Sequence, residues 1–521
     1  MCKIKNTKSL KWLFHFCLPV LLNMGLLLFA CKHVDAQEQI GIAQSNNHVT
    51  EGIRLNPSFG VDAKPWLDLH LAGAYGYFSN NYAYLGRREV SLYHLSFDND
   101  FLVNSVEERK YLDSEARVAG PGFSLVMGKF YIGFGSAVRY MATGRDVPLS
   151  MAQNYWFEWR EDDHIGKQFQ TGDFRIKQAG WAEFNFSGGG ILYAKGRNMI
   201  TGGITAKYLR GGNQSGFLVD NFDFEVPDEN TFIVNDFNGT YTTTPFTTGG
   251  GNGVAMDLGF TFKRMIDRVD GYTPHVVEAN CKKIDYVYRV GISMVDLGYL
   301  RYSANGGTVF RNISGGSAQW DRLQNRIMLD NYDWVTRDLD ARFLNNANET
   351  DNTVSARMPL GISFQYDYNL GANKQRKNQK NNWYINVSGM YGVPQPGSYG
   401  AERMSWLAVT PRYETKRFDL SVPVSVTGRG IPHVGLGLRW WSVSLGFTNF
   451  LPLLAYRDNY HFGGYVHFKH AIFTSNSCRR GFVPDEPDWD SRKCTNPKVR
   501  FPSFRRKKRK QMRKKQKRYL K

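Results

Sequence analysis

Between Arg417 and Thr427 the chain reads RFDLSVPVSVT. Phe418, Leu420, Val422, Val424 and Val426 alternate with Asp419, Ser421, Pro423, Ser425 and Thr427. Side chains alternate faces along a strand, so a period of two predicts a strand with one apolar and one polar face. The pattern recurs. In GVAMDLGFTFK (253–263), Val254, Met256, Leu258, Phe260 and Phe262 oppose Ala255, Asp257, Gly259, Thr261 and Lys263. WYINVSGMY (383–391) and WSVSLGFTN (441–449) read the same way. In WLDLHLAGAYGYF (66–78), strict alternation sets Leu67, Leu69, Leu71, Tyr75 and Tyr77 on one face and Asp68, His70, Ala72 and Ala74 on the other. Further strands are predicted at 122–130, 131–141, 181–192, 200–210, 284–302, 360–370, 405–413, 433–440 and 464–473.

These segments are about 9–11 residues long, the length a tilted strand needs to cross a bilayer. Their polar faces carry Ser, Thr, Asn, Gly and Asp rather than the Lys and Glu of a soluble sandwich. Aromatics such as Trp383, Tyr391, Trp440 and Trp441 stand near strand ends, as interfacial girdles require. Mean hydropathy is −0.43, so this is not a helical membrane protein, whereas a transmembrane barrel hides from hydropathy because every second residue is polar. The expected fold is therefore all-β, an antiparallel transmembrane outer-membrane β-barrel, whose apolar faces meet lipid. On that register, Arg at Val422 is costly and Arg at Ser421 is tolerated. The polar stretches 211–253 and 303–358 read as long outer loops, the second with a short helix at 320–329.

The ends change the picture. Lys3, Lys5, Lys8 and Lys11 precede an apolar run and then Val34-Asp35-Ala36, which reads as an export signal over 1–36. A second reading of Leu28-Phe29-Ala30-Cys31 is a lipoprotein box with Cys31 lipidated. The formal charge of +19 is concentrated: 498–521 holds fourteen Lys and Arg and no acid. Without the signal and this tail the body is near neutral, so nucleic acid is not an expected partner of an exported chain. The expected organisation is a signal at 1–36, an N-terminal segment at 37–65, a barrel at 66–473 and a basic periplasmic tail at 474–521, largely disordered. Of the six Cys, Cys478 and Cys494 are the closest mature pair and are the disulfide candidates, with Cys281 a rival partner.

Little supports catalysis, and no enzyme is expected. HExxH and GxSxG are absent. His467 and His470 are three apart, so on a strand they face opposite ways and cannot share a metal. No metal or cofactor is expected. Ser425 and His433 flank a turn and could approach one another. Asp68, His70, Asp257, Asp296 and Arg439 lie on polar faces and are lumen or ligand candidates. Asp257-Leu258-Gly259 and Asp296-Leu297-Gly298 repeat one pattern. They read either as a carboxylate pair for a cation or ligand head group, or as acids paired with Lys263 or Arg439.

RLNPSF (54–59) resembles the Asn-Pro-Ala element near the mature start of FadL-like barrels, with Ser58 in place of Ala. Residues 251–263, 288–302 and 410–441 resemble an uncharacterised group of Bacteroidota outer-membrane barrels related to FadL-like transporters and to the PorV-like barrel of type nine secretion. The resemblance covers roughly 38–473. It implies about fourteen strands and an N-terminal segment, with Asn56 and Pro57, that plugs the lumen; a plain strand-start turn is the other reading of these two residues. It also implies binding or passage of a small hydrophobic or amphipathic molecule, or else a docking role in secretion or surface assembly. Expected partners are outer-membrane lipid, such a hydrophobic ligand, and peptidoglycan or an acidic periplasmic protein at the basic tail.

Overall fold

The computed structural model describes residues 40–86, 101–152, 165–228, 231–244, 250–276, 281, 283–303, 309–321, 347–348, 353–372, 382–450, 458–475 and 478. The signal, residues 322–329 of the expected 320–329 helix, Cys494 and the tail beyond 478 lie outside them, while Trp320 and Asp321 end the strand Val309–Asp321 instead of starting a helix.

Fourteen staves form one antiparallel ring. They are β1 (Leu67–Asn80), β2 (Arg109–Ala119 with Gly122–Met127), β3 (Phe130–Pro148), β4 (Phe174–Lys195), β5 (Asn198–Asp228), β6 (Gly251–Met265) and β7 (Tyr286–Ser303). Then come β8 (Thr353–Arg357 with Gly361–Asn369), β9 (Trp383–Gly392), β10 (Trp406–Glu414), β11 (Phe418–Ser421 with Val424–Thr427), β12 (Pro432–Val434 with Leu436–Trp440), β13 (Val443–Phe447) and β14 (His461–Ile472). Each stave pairs with its sequence neighbours, and β14 closes on β1 from Leu67↔Ile472 to Ser79↔His461. Closure leaves no stave with an unpaired edge. β11 is split at Pro423, which has no N–H for the ladder. The Pro423 carbonyl still accepts from Gly435 N at 2.7 Å.

Alternation decides which face each side chain takes. Phe260, Ile292, Val424, Leu445 and Phe468 point outward and are exposed, while Asp257, Thr261, Ser293, Ser425, Ser444 and Lys469 are buried inside. A closed barrel with an apolar outer belt is what hydrocarbon permits, because every backbone group is satisfied within the ring. Among the described residues no helix is long and apolar enough to cross a membrane.

Strict alternation fails in β1. A bulge between His70 and Ala72 turns both Leu71 and Ala72 outward, so Tyr75 and Tyr77 point inward, 5% and 4% exposed. Their predicted outward face is wrong, because one extra residue inverts everything after it. Ser421 also departs from expectation. It packs inside against Gly41 and Gly437, so Arg there has no room. The 211–253 stretch is no loop. β5 runs on to Asp228 and pairs with the strand Thr231–Thr244, which pairs in turn with Val309–Asp321. Phe222, Phe224, Val234, Phe237 and Tyr241 give this projection its own apolar core.

The short turns at 128–129, 196–197, 415–417 and 441–442 share one end of the ring. The connections 81–108, 149–173 and 304–352 share the other. Cys281 and Cys478, at the short-turn end, form a disulfide with Cα atoms 5.8 Å apart. Cys478 therefore takes the rival partner and not Cys494, because the 266–285 connection meets the chain where it leaves β14.

Candidate functional site

The N-terminal segment lies inside the ring. Its side chains meet staves all round the wall: Ser45 Oγ donates to Asp419 (3.0 Å), Asn46 Nδ2 to Glu414 (2.9 Å), and Asn56 Nδ2 to Gln365 (2.9 Å). With Asn56 also at the Ile292 carbonyl of β7 and Thr50 bonded to Asp68 of β1, only an internal segment can meet these staves together. It contains a helix α1 (Val49–Leu55) and a 3-10 turn at Pro57–Gly60.

Asn56 and Pro57 are fully enclosed at its centre. Asn56 Oδ1 accepts from Ser58 N (3.0 Å) and Ser58 Oγ (2.6 Å), while Nδ2 also reaches the carbonyls of Phe260 (3.3 Å) and Ile292 (3.4 Å). Ser58, the departure from the Asn-Pro-Ala pattern, has a partner: its hydroxyl lies 2.5 Å from Thr261 Oγ1. Tyr131 OH donates to the Pro57 carbonyl at 2.5 Å. Asp68 caps α1 from the wall. Its Oδ2 accepts from Thr50 N (3.1 Å) and from Lys469 Nζ (3.2 Å), supplying the acceptor that the N-cap residue His48 lacks.

Beside α1 is a chamber of about 80 Å³. Its polar wall is one ion network. Asp296 sits at a β7 bulge with φ +57°, opposite Asp257, a conformation Asp tolerates better than most residues. Its carboxylate takes Arg139 (2.8 Å), Lys207 (2.6 Å) and Arg403. Asp257 Oδ1 takes Lys207 (2.8 Å) and the Asp296 N–H (2.7 Å). The carboxylates do come together, but their expected partners are wrong. Lys263 pairs with Asp62 (3.3 Å) and Arg439 with Asp419 (2.7 Å). Arg439 also bonds the carbonyls of Thr415, Lys416 and Trp441, which makes it a clamp for the β10–β11 turn. Lys207 on β5 and Arg139 on β3 belong to neighbouring parts of the wall, a proximity visible only once register is known.

Most of the remaining lining is polar too, with Glu51, His70, Glu115, Arg117, Glu183 and Asn185 among it, and an apolar patch is set in it by Ile53 and Leu55 from α1 and Phe123 and Phe134 from the barrel. Here β2 is interrupted at Gly120-Pro121, and Gly133 and Gly135 stand on β3. Ladder pairing lapses between Ala119↔Ala137 and Phe123↔Phe134. The chamber therefore reaches the wall beside this interruption, which a Gly120 N–H to Ser136 carbonyl bond of 2.9 Å still bridges.

His70 is inside, with Glu51 of α1 and His467 of β14 close by. Ser425 and His433 are register partners across β11 and β12, and His433 packs its ring edge-on against His461, centroids 5.2 Å apart.

A family model matches residues 57–447, three quarters of the sequence. The chain belongs to that family, described as a family of unknown function (DUF5723). The match begins at Pro57 and so spans the wall from β1 to β13. No curated protein matches. Among solved structures, the toluene transporter TbuX of Ralstonia pickettii is 8% identical, with 85% of this chain and 100% of that one covered and a TM-score of 0.37. A Pseudomonas aeruginosa FadL homologue is 10% identical over 82% and 94%, TM-score 0.35. The toluene transporter TodX of P. putida is 9% identical over 80% and 91%, TM-score 0.35. At such scores these likenesses carry no functional argument, and the strand count rests on the ladder itself.

Proposed function

We propose that this DUF5723 barrel sits in the bacterial outer membrane and binds or passes a small amphipathic molecule through the chamber beside α1. One observation carries the reading. The chamber sets an apolar patch of Ile53, Leu55, Phe123 and Phe134 beside an ion network and reaches the barrel side at the Gly120–Gly122 interruption. A polar head group has Arg139, Lys207 and Arg403 to meet, and an apolar tail has Phe123 and Phe134. The N-terminal segment fills the lumen beside the chamber, which favours a path through the side wall over an axial one. The FadL-like character of the sequence motifs fits this, and the reading requires no catalytic step.

A docking role, as in PorV-like barrels, draws support from the strands that extend β5 beyond the ring, which would give a partner a rigid platform. The experiment is extraction and mass spectrometry of small molecules from protein purified out of native membranes. An amphipathic compound is expected with wild type and lost in Gly135→Leu. A side chain grown from Gly135 first meets Asn185 Nδ2, 4.0 Å from its Cβ, so it extends into the chamber without touching the ladder. A co-purified protein with no small molecule would instead establish docking. We also propose that the basic tail binds an anionic periplasmic surface.

A further inference from the structure

At the seam where β14 closes on β1, three ligand atoms converge. His70 Nε2 lies 3.2 Å from His467 Nδ1. Glu51 Oε1 lies 3.6 Å from the first and 3.8 Å from the second. His70 and Glu51 are 4% exposed and His467 is 1% exposed. We propose that these three side chains bind a divalent transition-metal ion, zinc by preference, which ties the N-terminal segment to the barrel seam.

The donor set is two imidazoles and a carboxylate, a set found in zinc and non-haem iron sites. Bonds of about 2.0–2.1 Å to a tetrahedral zinc put neighbouring ligand atoms about 3.3 Å apart. The three separations here are close to that, and a facing triangle of such atoms is one face of the tetrahedron.

Proton accounting points the same way. His70 Nδ1 lies 3.0 Å from the Gly120 carbonyl, which can only accept, so Nδ1 carries a proton and in the neutral ring Nε2 presents a lone pair. This is also the outer-shell arrangement that orients a metal-bound histidine. Glu51 Oε1 is an acceptor as well. With both imidazoles neutral, at most one N–H, on His467 Nδ1, then serves three converging atoms. A cation serves all three. Glu51 Oε2 is held by Arg54 NH1 at 3.1 Å, which fixes the other oxygen toward the imidazoles.

The wall leaves room for this. A Cβ on Gly73 would overlap His467 Nδ1 and crowd His70 Nε2, so the imidazoles converge over the one residue of this part of β1 that has no side chain. His70 and Glu51 also line the chamber, so a fourth coordination position would face that side. The site stands apart from the ligand reading: it needs no cargo, and it can fail without touching that proposal.

The test uses full-length protein folded in detergent, stripped with chelator and titrated with zinc. About one equivalent is expected to bind tightly. Cobalt in its place is expected to give the intense visible bands of a tetrahedral centre. His70→Ala, His467→Ala and Gly73→Val are expected to abolish stoichiometric binding. Glu51→Gln is expected to weaken it at least about tenfold. His470→Ala, exposed on the outer face of the same stave, is expected to bind as wild type does. Heat-modifiable migration in gels checks that each variant is folded. Zinc is expected to slow proteolysis within 40–64 in wild type and not in His467→Ala. Zinc uptake unchanged in a folded His70→Ala/His467→Ala double variant, or uptake well below one equivalent by wild type, overturns the site. Uptake without protection of the segment overturns its tying role.

Discussion

Asn56 occupies the space that a side chain on Gly259 would fill: a Cβ there would overlap its amide oxygen. Gly203, on the adjacent stave, stands under the Pro57 backbone in the same way. The inward positions of β5 and β6 are bare where the N-terminal segment crosses them. The lumen is thus filled by a close backbone approach, and the glycines are the sockets.

Gly259→Val is therefore expected to lift the 55–60 segment off the wall while leaving the outer ladder intact. The Asn56 hydrogen bonds lost are worth about 0.5–1.5 kcal/mol each, and more where a buried group is left unpaired. In planar bilayers the variant is expected to conduct where wild type is closed, and protease is expected to cut within 40–64. A closed, protease-resistant Gly259→Val would mean that the segment does not seat through these sockets.

Asp296 holds three cations at once, so removing its charge is expected to be costly. Asp296→Asn leaves Arg139, Lys207 and Arg403 short of a counter-charge in a buried network. Breaking such pairs costs about 3–5 kcal/mol. Unfolding in urea from lipid vesicles is expected to show a loss of that order. Glu402→Gln, which frees only Lys177, is expected to lose less.

The outer belt has its own test. Val424 is 50% exposed on the lipid side and Trp440 is 70% exposed beside a turn. Arg near the bilayer midplane of a barrel costs about 2–4 kcal/mol and near the interface about 0–1. Val424→Arg is expected to fall in the first range and Trp440→Arg in the second. Equal costs would show that the belt does not lie across a bilayer.

Much of this wall was legible in the sequence, and the reasons for the misses are specific. Residues 253–263 and 418–427 follow their alternation position by position, because a strand buried on one side allows no register slip. β1 did not, since the bulge at His70/Ala72 leaves no mark on composition. Asn56 and Pro57 could be picked out as a motif, but the glycines that receive them lie about 150–200 residues away in the chain. The partners of Asp257 and Asp296 were misassigned for the same reason: Lys207, Arg139 and Arg403 become neighbours only after the ring closes. His467 was weighed against His470 on its own strand, whereas its neighbour is His70 across the seam.

At the short-turn end, His275 is expected to make the C-terminal docking pH-sensitive. Its Nε2 donates to the Ala63 carbonyl at 3.2 Å, and its own carbonyl accepts from Ser475 Oγ at 3.0 Å. Burial, with Lys283 nearby, pushes its pKa down to about 4 from an ordinary 6.5. Between these values the undocked histidine binds a proton that the docked one refuses. Docking is therefore at full strength above about 6.5 and is lost progressively as pH falls toward 4. Hydrogen exchange at 473–478 is expected to rise over that window with the Cys281–Cys478 bond intact. His275→Gln is expected to flatten the response.

The basic tail is tested by deletion. Residues 498–521 carry fourteen positive charges and no acid, and the ring ends at the short-turn end, which under the proposed outer-membrane placement would face the periplasm. There the anions at hand are acidic lipid, peptidoglycan carboxylates and acidic protein faces. Each Lys or Arg near an anionic membrane surface is worth about 1 kcal/mol within a Debye length, so the attraction is strong only at low salt. Deleting 499–521 is expected to leave barrel insertion and heat stability unchanged, because the ring is already closed by the pairing of β14 with β1, which ends at Ile472. Co-sedimentation of full-length protein with purified peptidoglycan is expected at low salt, to fall as salt rises, and to vanish with the deletion. Equal sedimentation of both forms at low salt would leave the tail without a tethering role.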